Sequence, residues 1–247
     1  MDKTTLRERV WDGLEESGEA RFPYPPHGRI PNYRGAADAA ERLASLDAWR
    51  DADVIKSNPD SPQLPVRRRA LRAGKTVYMA VPRLADERCF LRLDPDEIED
   101  VDDATTVSGS ADHGVRVGPD SMEPIDLIVS GSVAVSDAGT RVGKGEGYSD
   151  LEFAVLRAFD LVDGDTTTAT TVHERQVVPP ETAPPPSAHD VPMDLVVTPE
   201  RVVRTAAGSK PSGIDWALLG DRVEEIPILR RLRPERDADP DPGPSPD

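Results

Sequence analysis

Apolar residues recur along the chain at two periods, and each period marks a different kind of element. Leu6, Val10, Trp11 and Leu14 lie on one stripe at helical spacing, which predicts a helix over residues 4–16. Ala40, Leu43, Leu46 and Trp49 predict a second helix over residues 36–49. The apolar runs ADVIKS (52–57) and TVYMAV (76–81) read as buried strands with a helix near residues 66–73 between them, and Gly74 stands where that helix should stop. Strand, helix, strand is the unit of a parallel sheet. IDLIVSG (125–131) reads as a further buried strand, with residues 133–135 as its candidate extension. A helix is expected over residues 150–160, strands over 166–172 and 194–197, and a short helix around 216–223. Between residues 86 and 112 the pattern predicts acidic loops and one strand at 90–93. The expected fold class is therefore α/β, a three-layer sandwich with a largely parallel sheet.

Punctuation and charge set the boundaries. RFPYPPHGRIPNYRG (21–35) is too rich in proline to be regular structure. Within it, Arg29, Asn32, Tyr33 and Arg34 suit an anionic, planar ligand, or else the loop only fixes a crossing of the chain. Residues 179–192 form a second proline-rich connection. The expected division is a domain over 1–207, a short extension over 208–233 and a disordered acidic tail over 234–247. With 46 acidic and 30 basic residues the net charge is −16, which argues against a general nucleic-acid binder. No apolar run approaches a membrane span, and the charged, amphipathic start is no secretory signal. The lone Cys89 excludes an internal disulfide and a multi-cysteine zinc site. The chain thus reads as soluble, cytoplasmic and monomeric. Five lysines against 25 arginines fit either a cytoplasm of high ionic strength, the halophilic reading, or the codon bias of a GC-rich genome.

The most informative stretch is RVGKGEGYSD (141–150), between a strand region and a helix. Its alternating Gly143, Gly145 and Gly147 allow tight turns and close approach of backbone N–H groups to a ligand. An amide-rich loop at a helix N-terminus suits phosphate, and Arg141 and Lys144 add positive charge. A merely connecting glycine loop is the alternative. Ser149 followed by Glu152 reads as a capping box that starts the helix. Neither the dinucleotide fingerprint nor the Walker spacing is met, and Ala73-Gly74-Lys75-Thr76 only imitates a P-loop. His27, His113, His173 and His189 lack metal-ligand spacing. Of Arg67, Arg68 and Arg69, a solvated helix face with one inward arginine is the expectation.

DLIVSGSVAVSDAGTRVGKGEGYSDLEFA, Lys3-x-x-Leu6-Arg7, the strand from Lys75 to Pro82 and the segment from Asp190 to Asp194 together resemble the 5-formyltetrahydrofolate cyclo-ligase family. GRIPNYRGA, KSNPDSPQ and VGKGEGYSDLE look closer to its methenyltetrahydrofolate synthase domain-containing branch. The resemblance implies a NagB/RpiA/CoA-transferase-like fold and an ATP- and Mg²⁺-dependent ring closure of 5-formyltetrahydrofolate to the 5,10-methenyl form. It implies ATP contacts from Lys3, Arg7, Arg141, Gly143, Lys144, Gly145, Glu146, Gly147 and Tyr148. It implies substrate contacts from Gln63, Gly145, Gly147 and Tyr148, catalytic roles for Lys144 and Tyr148, and Mg²⁺ on Asp150 and Asp190. Three sequence features depart from the family: Glu146 where a base is common, Ser149 for a second tyrosine, and Gln63 as nearest equivalent of a pterin-binding glutamate. Two alternatives stay open: a paralogue acting on another small heterocycle, with a thiamine link suggested for the branch, and a non-catalytic nucleotide- or RNA-associated module.

Overall fold

The computed structural model describes residues 1–234. All but the first residue of the expected acidic tail therefore lies outside the described residues. Helix α1 (Lys3–Glu16) forms on its apolar stripe, with Leu6, Val10, Trp11 and Leu14 buried and Asp2 capping the amides of Thr4 and Thr5. A two-stranded ribbon, β1 (Ala20–Arg21) and β2 (Asn32–Tyr33), closes the proline-rich loop. The single helix expected over 36–49 is two, α2 (Ala36–Ala44) and α3 (Asp47–Arg50). The apolar stripe runs through both. However, the Ser45 hydroxyl bonds back to the Arg42 carbonyl and Leu46 is extended, so the chain turns between them.

β3 (Val54–Ser57), α4 (Leu64–Arg72) and β4 (Thr76–Ala80) form the expected parallel unit, closed by Gly74 at φ +74°. β5 (Phe90–Leu93) returns antiparallel. The acidic stretch then holds two short helices, α5 (Val101–Ala104) and α6 (Val107–His113), and an edge strand, β6 (Val115–Val117). Their caps, Asp100 and Thr106, were in the sequence, but too few apolar residues lie between to show a period.

β7 (Leu127–Val129) is the central strand. Residues 133–135 do not extend it. Gly131 approaches Ile30 so closely that a Cβ there would stand 2.9 Å from the isoleucine side chain, and beyond it the chain enters another sheet. That sheet contains β8 (Ala134–Ser136), β9 (Arg141–Val142) and β11 (Val177–Val178), and Val133, Ala134, Val142 and Val178 share a small core with α1. α7 (Tyr148–Ala158), β10 (Thr167–Thr171), β12 (Leu195–Val197) and β13 (Val202–Arg204) complete the main sheet and its far face.

The eight strands run in the order β13-β12-β10-β7-β3-β4-β5-β6, parallel in the middle and antiparallel at the edges. From β3 the chain moves through α4 to β4; from β7 it moves the other way, through α7 to β10. Right-handed crossovers place those helices on opposite faces and leave a topological switch point between β3 and β7. Past the expected domain boundary at 207, the helix expected over 216–223 is a single 3₁₀ turn at Trp216–Leu218, followed by α8 (Arg222–Glu225) and α9 (Pro227–Leu232). Leu219, Val223, Ile226, Ile228 and Leu229 enter the same core as the sheet. No helix among the described residues is long and apolar enough to cross a membrane.

Candidate functional site

At the C-terminal ends of β3, β4 and β7 opens a cavity of about 510 Å³. The switch point leaves a crevice there because successive loops diverge to opposite faces. Asn58, Pro59 and Asp60 wall it after β3, Val81, Pro82 and Arg83 after β4, and Gly131 after β7. The glycine loop from Gly143 to Gly147 and the α1 residues Lys3 and Arg7 close the remaining side. Sequence reasoning placed Lys3, Arg7, Arg141, Lys144, Tyr148, Asp150 and Asp190 together, and all line this one cavity.

Backbone geometry suits the loop to anions. Gly145 and Gly147 have φ of +115° and +70°, conformations that disfavour a side chain. Among the described residues the amides of Lys144, Gly145, Glu146 and Gly147 make no hydrogen bond, and no side chain caps α7. The expected capping box is absent. Gly147, not Ser149, is the N-cap, and Ser149 lies within the first turn, 3.2 Å from the Ser130 hydroxyl. Glu152 is drawn away to a buried ion pair with Lys56 of β3, beneath Asn58. A charge at that depth needs its partner more than a helix needs a cap.

Ion pairs fix the walls. Arg141 is buried and donates to Asp150 Oδ2 at 2.7 Å and to the Gly131 carbonyl at 3.1 Å. Burial pushes the Asp150 carboxyl up, but Arg141 and the Val191 amide outweigh it and hold the carboxyl below its ordinary range. Lys3 Nζ binds both oxygens of Asp190, at 2.9 and 2.7 Å. Asp150 Oδ1 accepts from the Val191 amide and Asp190 Oδ2 from the Ser187 amide, so every oxygen of the two carboxylates has a donor. Only Asp190 Oδ2 takes two donors; the other three oxygens each keep a lone pair, and both carboxylates line the cavity, so Asp150 and Asp190 are the residues that would hold Mg²⁺. Lys144 and Glu146 pair at 2.8 Å on the surface, a contact weak enough for Lys144 to exchange Glu146 for a phosphate.

Two calls move. Gln63 is fully buried and does not line the cavity: its amide nitrogen stands 3.3 Å from the Thr171 hydroxyl, and its Oε1, without a hydrogen-bond partner, lies beside Gly131. Asp60 lines the cavity instead. Burial pushes its carboxyl up, against the opposing field of Lys144. Arg67 is the inward arginine of the triplet: it donates to the carbonyls of Asn58 (2.6 Å), Asp60 (3.1 Å) and Thr105, and so holds the β3 loop in shape. Arg83 is exposed on the rim at φ +58°, with Leu84 beside it at +50°; two adjacent left-handed side chains are strained backbone at the site. Nothing but the strand end before it marks Arg83 in the sequence.

Most of the other candidate residues stand apart from this cavity. In the Arg29–Arg34 stretch only Ile30 reaches the cavity; the Arg29 carbonyl accepts from Trp11, and Arg34 pairs with Glu19. His173 caps a 3₁₀ turn, its Nδ1 accepting from the Arg175 amide. Glu8, Asp12 and His27 bring ligand atoms within 4.8 Å of one another, but none lines the cavity and His27 already bonds Asp12.

A crevice at the switch point of a doubly wound sheet, lined by both basic and acidic side chains and by the glycine loop, is where α/β domains of this kind hold their ligands. A sequence model of the 5-formyltetrahydrofolate cyclo-ligase family matches residues 2–199. The chain is 42% identical over 239 residues to the methenyltetrahydrofolate synthase domain-containing protein of Mus musculus, covering 94% of this chain and 63% of that protein. Its Homo sapiens counterpart is 38% identical over 240 residues, with 94% and 62% covered. The chain thus spans less than two thirds of these relatives. The NMR structure of Aquifex aeolicus 5,10-methenyltetrahydrofolate synthetase has the same fold, with TM-score 0.53 at 18% identity over 84% of this chain and 95% of that one. The chain belongs to the 5-formyltetrahydrofolate cyclo-ligase family.

Proposed function

We propose that the protein is an ATP-dependent 5-formyltetrahydrofolate cyclo-ligase. One observation carries the reading: residues 144–147, whose amides have no partner among the described residues, line the same cavity as Lys3 and Arg7. A triphosphate on those amides would place its terminal phosphate among the cations. The formyl oxygen on N5 attacks the γ-phosphorus, an O–P bond forms, and the bond to the β-phosphate oxygen breaks to release ADP. N10 then attacks the activated formyl carbon, loses its proton, and phosphate leaves as the ring closes. The protein's part is alignment and neutralisation of charge. Gly145 and Gly147 let the backbone approach both substrates, and Lys144 balances the transferring phosphoryl group. Tyr148 borders the reacting end. Asp60, which lines the cavity where Gln63 does not, is the acceptor for the paired N–H donors of the pterin edge. Mg²⁺, if bound, would be held by Asp150 and Asp190 and would supply further neutralisation of phosphate charge.

The test is the absorbance of the methenyl product when purified protein meets ATP and 5-formyltetrahydrofolate in molar salt. ATP-dependent product is expected. ATP binding without product at high enzyme would replace this reading by that of a paralogue acting on another heterocycle.

A further inference from the structure

The family match ends at residue 199, yet the chain beyond it returns to the glycine loop. Leu219, Val223 and Ile226 anchor that return in the main core, and α9 packs on α7. The anchoring sets Arg222, the first residue of α8, beside the loop. Its guanidinium carbon stands 4.6 Å from the centre of the Tyr148 ring. A Cβ built on Gly147 would lie 3.7 Å from its Nη1. Arg222 forms no ion pair among the described residues, and its Nη2 is buried with no hydrogen-bond partner. The ring face attracts the charge but offers those N–H groups no acceptor in their plane. A guanidinium in that state, set against Gly147 and Tyr148 of the cavity lining, is half of an anion site.

We propose that Arg222 completes the phosphate site of the glycine loop, donating to a phosphate oxygen of the bound nucleotide while its stack on Tyr148 holds ring and loop together. The extension after residue 207 is then part of the binding machinery. This inference rests on the nucleotide reading above and adds to it a residue from outside the family match.

The test is calorimetric titration of the full chain, unsubstituted and as Arg222→Gln and Arg222→Lys, with ATP and with adenosine. Loss of a charge-assisted hydrogen bond weakens binding about tenfold or more. Arg222→Gln is therefore expected to lower ATP affinity by that factor and leave adenosine unchanged, with Arg222→Lys between. Unchanged ATP affinity, or equal loss for both ligands, overturns the phosphate contact and leaves the nucleotide reading standing. No ATP binding by the unsubstituted chain overturns both. Should Arg222→Gln not fold, Arg222→Lys keeps the charge over the ring and its ATP-to-adenosine ratio decides in the same way.

Discussion

Arg7 Nε donates a 2.7 Å hydrogen bond to the carbonyl of Gly143, tying the first helix to the glycine loop across 136 positions of sequence. One turn earlier on the same helix Lys3 reaches Asp190, so α1 braces two walls of the cavity at once. Arg7→Met keeps the apolar stem and removes the donor. We expect ATP affinity to fall about tenfold, since hydrogen bonds to charged groups contribute about 1.5–3 kcal/mol. Amide exchange at residues 143–147 should quicken in the same variant. Wild-type exchange and affinity together would remove the brace.

The Lys56–Glu152 pair lies under the cavity with both side chains buried. Removing one partner strands a buried charge, which costs about 3–5 kcal/mol, whereas replacing both with apolar residues is often neutral. Lys56→Met should therefore destabilise strongly in urea, and Lys56→Met with Glu152→Leu should recover most of the loss. If the double variant is no more stable than the single, the pair is not what the site rests on.

Acid stability should carry the mark of Asp150. Its folded carboxyl sits below the ordinary value of 3.8, so its contribution is present above that value and lost as pH falls through the folded one. Asp150→Asn leaves Arg141 buried without its counter-ion and should be less stable at pH 7 by about 3–5 kcal/mol. That gap should narrow as pH falls below 3.8 and through the lower folded value, measured by chemical denaturation at each pH. A constant gap would contradict the assignment.

Asp60 titrates in the opposite sense. Its folded carboxyl is raised, so the folded state binds the extra proton and stability falls as pH rises from the ordinary carboxylate value through the folded one. Asp60→Asn should melt higher than the parent at pH 7 while raising KM for the folate. A variant that is both less stable and kinetically unchanged would show that Asp60 is structural.

Much of the fold was legible. The stripe of α1, the β3–α4–β4 unit and β10 all follow local rules of period and punctuation. What failed failed for tertiary reasons. Residues 133–135 read as a continuation of β7 because hydropathy does not record which sheet a strand joins; the close approach of Gly131 to Ile30 decides it. Ser149 and Glu152 match a capping box, but the buried Lys56 outcompetes the helix terminus for the glutamate. The helices after residue 100 are short and solvated, so no apolar period announces them. Within the site, the glycine loop was legible from its own residues, and Lys3 and Arg7 from the family resemblance. An inward arginine in the 67–69 triplet was expected too, and the fold shows it to be Arg67. Asp60 and Arg222 were not legible, because each acts across elements that only the folded chain brings together.

The central claim is that the main chain from Lys144 to Gly147 holds a triphosphate just ahead of Asp150. A crystal of the protein with a non-hydrolysable ATP analogue tests it most directly. Phosphate density within hydrogen-bonding distance of those amides and of Lys144 is the predicted result. Analogue bound elsewhere, with the loop amides turned away from it, would contradict the account.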